Sequence, residues 1–92
     1  MEQAQSSILV ETDRVRVTAW TFAPDQATGM HRHELDYVVV PVSGGTFTVT
    51  APDGATSLLQ QERGQAYARP AGVQHDVASA GQSMFVEVEL KP

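Results

Sequence analysis

The sequence predicts an all-β fold, a sandwich or barrel, and three observations carry that prediction. Short stretches alternate apolar with polar residues at the period of a strand, turn residues recur at close spacing between them, and no window shows the period of an amphipathic helix. The 92 residues form one domain, 1–92, because a second would have too little chain to bury its own core. A hydrophobic fraction of 41% supports a compact interior, and 18% charged residues is too few for a disordered chain.

Each element follows from local residue choice. Ser7 to Val10 forms a first strand, and Val15 to Phe22 a second, in which Val15, Val17 and Ala19 alternate with Arg16, Thr18 and Trp20. PDQATG, Pro24 to Gly29, is a loop. Val38 to Val42 is a strongly β-prone run closed by the turn Ser43 to Gly45, and Thr46 to Thr50 is expected to return beside it as a hairpin. Pro52 to Gly54 is a turn tripeptide. Thr56 to Gln60, Gln65 to Arg69, His75 to Ala80 and Met84 to Leu90 supply the remaining strands, separated at Gly64, at Pro70 to Gly72 and at Gly81. In the last of these, Val86, Val88 and Leu90 alternate with Glu87 and Glu89, the pattern of a half-buried strand. Trp20, Phe22, Met30, Phe47, Met84 and Phe85 are expected in the core or an interface.

Composition excludes several functions. Six Lys and Arg against eleven Asp and Glu give a net charge of -5, which opposes the phosphate backbone of nucleic acids. The absence of cysteine removes disulfides and thiolate catalysis and permits a reducing compartment. No apolar run reaches membrane-spanning length and MEQAQSS does not read as a signal peptide, so a cytoplasmic location and no membrane partner are expected.

The chemistry is concentrated in the histidines. His31 and His33 lie one residue apart ahead of the β-branched run, so on an extended chain they point the same way, as does Tyr37. The third and last histidine, His75, follows the turn forced by Pro70 and Gly72, which is placed to carry it to the same interior. Three imidazoles suit a divalent transition metal, Zn, Fe, Ni, Mn, Co or Cu, and the residue types do not select among them. The alternative is three solvated or hydrogen-bonded histidines on a β-surface.

These residues carry a resemblance. The chain resembles a single-domain, conserved-barrel cupin, and more narrowly the small BauB-like bacterial cupins. In the first cupin motif, spanning Gly29 to Gly45, His31 and His33 supply the His-x-His pair, Tyr37 stands in the place of a glutamate, and Gly44 closes the spacing. In the second, spanning Gly64 to Ser79, Gly64, Pro70, Gly72 and His75 match every spacing and Ser79 replaces an asparagine. The segments HRHELDYVVVPVSGG, AYARPAGVQH and FVEVELK carry the narrower likeness. The resemblance implies a double-stranded β-helix, or jelly-roll, barrel with metal ligands at His31, His33 and His75. Two departures accompany it. Gly29 is one residue from His31 where the general motif has five, which implies a differently shaped entry loop, and the carboxylate ligand does not carry over to Tyr37.

Three neutral imidazoles without a carboxylate would leave a divalent ion its full double charge, favouring an anionic small-molecule ligand and a strong Lewis acid. Tyr37 reads either as a hydrogen-bond donor beside the metal or as aromatic filling. Arg69 reads either as a clamp for a substrate carboxylate or as a solvated residue paired with Glu87 or Glu89. Asp36 and Glu34 should face away by strand alternation unless a bulge turns them inward. The function expected is a mononuclear metalloenzyme acting on a small organic acid or carbonyl compound, by dioxygenase, isomerase or lyase chemistry. The competing reading is a non-enzymatic ligand-binding or sensory module. A minimal barrel also has strand edges to protect, so the terminal strands are expected to meet a second copy in a homodimer.

Overall fold

The computed structural model describes residues 2–92. Among these residues the regular structure is entirely β: β1 (Gln5–Glu11), β2 (Val15–Phe22), β3 (His31–Arg32), β4 (Asp36–Pro41), β5 (Gly45–Thr50), β6 (Thr56–Gln61), β7 (Tyr67–Arg69), β8 (Gln74–Ser79) and β9 (Ser83–Leu90). They form two antiparallel sheets, in the orders β1-β2-β9-β4-β7 and β3-β8-β5-β6, facing one another as the halves of a barrel.

The predicted strands are present, but one pairing is not. β4 and β5 form no hairpin: β4 lies between β9 and β7 in the larger sheet, and β5 between β8 and β6 in the smaller. The reason lies at Gly44, whose φ of 76° is open to glycine and strained for other residues. A Cβ there would meet the Gln61 carbonyl oxygen at 3.0 Å and the Arg63 amide nitrogen at 3.1 Å, so the chain passes tightly under the end of β6 as it changes layers. The hairpin falls one connection later, between β5 and β6. There the Asp53 carboxylate accepts from the Ala55 amide at 2.9 Å and Gly54 adopts a φ of 90°.

One end of the barrel is filled and the other is open. Phe22, Phe47 and Phe85 meet in a buried trio with ring centroids 5.4 to 5.7 Å apart, two of the three contacts edge-on. Tyr37, Val39 and Val77 continue this core toward the opposite end. Met30, by contrast, lies exposed, and the core does not use it.

β9 departs from the simplest reading of its alternation. Phe85 is buried in the core, and strand parity then turns Glu87 inward with it, while Val86 and Val88 look to the outer face and remain half-buried. Six valines of β2, β4 and β9, Val15, Val17, Val38, Val40, Val86 and Val88, share this partly exposed condition. β1, at the edge of the same sheet, is exposed along its whole length.

Candidate metal centre

The three histidines come together by sheet register and a turn. β3 pairs with β8 so that His31 stands directly opposite His75. His33 is held just beyond, its amide donating to the Val73 carbonyl at 2.9 Å and its carbonyl accepting from the Gly72 amide at 2.7 Å. The turn containing Pro70 and Gly72 thus docks on His33 and presents His75 beside it, as the sequence predicts. The ring of His33, only 6% exposed, stacks on Tyr37 of the facing sheet with centroids 3.8 Å apart and planes at 15°.

All three rings aim Nε2 at one point. His33 Nε2 lies 3.0 Å from that of His31 and 3.2 Å from that of His75, and the three ligand atoms fall within 4.8 Å of one another. The donor chemistry fits a metal better than a hydrogen-bond network. His31 Nδ1 donates to the Gly29 carbonyl at 2.8 Å, which fixes the proton on Nδ1 and leaves Nε2 as a lone pair in the neutral ring. His33 Nε2 carries either a proton or a lone pair, so it cannot bond both neighbours at once. A cation shared by the three nitrogens satisfies every contact. The group could therefore hold a divalent metal ion.

Electrostatics keep these rings ready as ligands. Burial and the neighbouring imidazoles of His31 and His75 hold His33 down to about 4. Burial, His31 and Arg69 do the same to His75, also to about 4, against a small opposing pull from Asp76. Both are neutral at physiological pH, as ligation requires. Burial, assisted by Glu87 and Tyr67, pushes the Tyr37 phenol up to about 12, so Tyr37 offers a hydrogen-bond donor and not a base.

A cavity of about 170 Å³ adjoins the histidines, lined among others by Trp20, His31, Tyr37, Tyr67, Arg69, His75 and Glu87. Arg69 makes no ion pair with Glu87 or Glu89 among the described residues. Its guanidinium lies over the Tyr67 ring, 5.4 Å from the centroid, at the cavity wall. Gln61 donates to the Tyr67 hydroxyl at 2.9 Å, and its buried Oε1 has no partner among the described residues. Asp36 faces away, its carboxylate accepting from the Ala71 amide at 2.8 Å. Glu34 is exposed near Arg32. Neither reaches the centre.

Sequence reasoning weighed Glu87 only as a partner for Arg69 and Trp20 only as a core or interface residue, and missed their contact with each other. Glu87 Oε1 accepts from the indole Nε1 of Trp20 at 2.7 Å, and Oε2 lies 3.8 Å from His33 Nε2. Burial pushes the Glu87 carboxyl up to about 7, with the Trp20 bond opposing the rise and Glu89 adding to it. Its contact with His33 is consequently no ion pair, since the ring is neutral above about 4 and the carboxyl is protonated below about 7. The signal was present in the sequence: Phe85, an obvious core residue, has the parity of Glu87.

Comparison with known proteins agrees with fold and motifs. No family model matches the chain. It is 47% identical over 91 residues to the β-alanine degradation protein BauB of Pseudomonas aeruginosa, spanning 97% of this chain and 95% of that protein. A crystal structure of a cupin domain from Bordetella pertussis superimposes with a TM-score of 0.93 at 41% identity, covering 99% of this chain and 96% of the other. An RmlC-like cupin from Desulfovibrio desulfuricans shares the fold alone, with a TM-score of 0.76 at 17% identity over 96% of this chain and 82% of its own. The chain therefore belongs to the single-domain cupins, among the small BauB-like members of that family.

Proposed function

We propose that this protein is a mononuclear metalloenzyme of small organic acids or carbonyl compounds, with His31, His33 and His75 as metal ligands. The observation that carries the reading is the convergence of three Nε2 atoms beside a cavity of about 170 Å³. A purely structural ion has no use for an adjoining cavity, so a reactive centre fits better. When bound, a divalent ion supplies a Lewis acid for a substrate oxygen, or, if it is iron, a site for dioxygen chemistry.

The chain's own residues shape the rest. Arg69, at the cavity wall, offers a bidentate partner for a substrate carboxylate. Tyr37 holds His33 in its stacked orientation and, being protonated, can donate to a substrate oxygen. The aromatic trio closes the far end and excludes water from that side. The name of the Pseudomonas relative ties that protein to the breakdown of β-alanine, a small carboxylate, which supports a substrate of this class. We place the protein in the cytoplasm, where a cysteine-free chain has no need of an oxidising compartment.

Metal analysis tests the reading. The purified protein should carry close to one equivalent of a late first-row divalent ion, and His75→Ala should lose it while keeping its far-UV circular dichroism. A screen of short-chain keto, hydroxy and amino acids should then show turnover in the wild type alone. Ligands recovered unchanged after long incubation, despite a full metal complement, would transfer the site to the non-enzymatic sensory class.

A further inference from the structure

Among the described residues, Glu87 is a largely buried acid that faces the His33 imidazole with no cationic side chain to compensate it. Its side chain is 12% exposed, and the only basic group within ion-pair distance is the neutral ring of His33. Glu89, two residues on, differs: Arg16 lies 3.7 Å away and shares itself between Glu89 and Glu11. Burying a carboxylate without a partner is costly, and a cation placed beside Glu87 would relieve that cost.

The orientation of the side chain says where. One oxygen is tied down by the indole of Trp20 at 2.7 Å, which leaves Oε2 as the atom turned toward His33 Nε2 at 3.8 Å. Two donors bonded to one ion, each at roughly 2.0–2.2 Å, lie no more than about 4.4 Å apart. The Glu87–His33 separation falls within that limit, as do the contacts of His33 with His31 at 3.0 Å and with His75 at 3.2 Å.

From this geometry we infer that Glu87 is the fourth protein ligand of the centre, positioned by Trp20. The inference rests on the three-histidine reading. The carboxylate missing from position 37 on β4 is supplied by the neighbouring strand β9, which pairs with β4 through Val39 and Glu87. A divalent ion held by three neutral rings and one carboxylate keeps a single positive charge. Trp20 acts on the metal only through Glu87, in the manner of an outer hydrogen-bond partner that fixes a ligand's direction.

Chelator-stripped wild type, Glu87→Gln, Trp20→Phe and His75→Ala are titrated with Zn²⁺ against a chromophoric chelator and with Co²⁺ by visible absorption. Glu87→Gln keeps the volume and an acceptor for Trp20, and it should bind Zn²⁺ at least about tenfold more weakly and change the cobalt bands. Trp20→Phe should weaken binding by a smaller factor than Glu87→Gln, because it loosens the ligand without removing it. Because a variant can fail to fold, the wild type is also followed by carbon NMR, where the Glu87 carboxyl resonance should move on addition of Zn²⁺. Wild-type affinity and an unchanged cobalt spectrum in Glu87→Gln, or an unmoved carboxyl resonance, overturn the ligation. If His75→Ala loses metal in the same experiment, the three-histidine centre survives that failure. A wild type that takes up neither ion overturns both.

Discussion

Glu87 illustrates how a single buried group contributes to the pH behaviour of the metal-free protein. Its carboxyl titrates at about 7 when folded, against 4.5 ordinarily, so between these values the folded state binds the proton more tightly than the unfolded chain. Stability from this group is therefore present below 4.5 and lost as pH rises through 7, a difference on the order of 3 kcal/mol. Chelator-treated Glu87→Gln should accordingly be more stable than wild type at pH 8 and about equal near pH 4.5, as read by urea unfolding. Equal stability changes at both pH values would contradict the assignment. His33 and His75 work in the opposite direction. Their folded values of about 4 lie below the ordinary 6.5, so protonation of the unfolded rings draws stability away as pH falls from 6.5 toward 4. Two histidines outweigh one carboxyl, and the metal-free melting temperature should rise with pH between about 4.5 and 6.5 and decline gently beyond.

At the scale of elements, Gly44 determines which strands pair. Its positive φ and the 3.0 Å approach to the Gln61 carbonyl oxygen let β4 and β5 part into different sheets. Gly44→Ala should cost about 1–2 kcal/mol from the left-handed conformation alone, and more from the close contact, measured as a lowered urea midpoint. No change would show that this crossing is slack. The expected hairpin failed because a β-prone run, a glycine turn and a second alternating run are compatible both with pairing and with a change of layer. Local propensity does not contain the contact with Gln61. β9 shows a similar limit: three apolar residues at alternate positions mark one face as apolar, yet the other face holds Phe85 and lines the cavity. Both faces of that strand meet apolar surroundings, and alternation alone cannot order them.

For the whole molecule, the exposed edge is the feature still to be accounted for. β1 leaves Ile8, Leu9 and Val10 at 58%, 56% and 48% exposure, next to the half-buried valines of the outer face. We propose that a second copy covers them, since an antiparallel edge meeting its own two-fold mate is self-complementary and removes the unpaired backbone groups. Light scattering should give twice the chain's 9.9 kDa, and Leu9→Lys should shift it to the monomer without loss of bound metal. A wild type that is monomeric at high concentration rules the pairing out.

The sequence by itself determined the β class, nearly every strand, and the three histidines that share one site, because period-two alternation, turn residues and motif spacing are local properties of the chain. Tertiary structure alone decided which strands neighbour which, that Tyr37 stacks on His33, and that Glu87 turns inward to Trp20 and the imidazoles. Those outcomes depend on contacts between residues far apart in sequence, 67 positions for Trp20 and Glu87, which form only when distant strands pair and the two sheets close on each other.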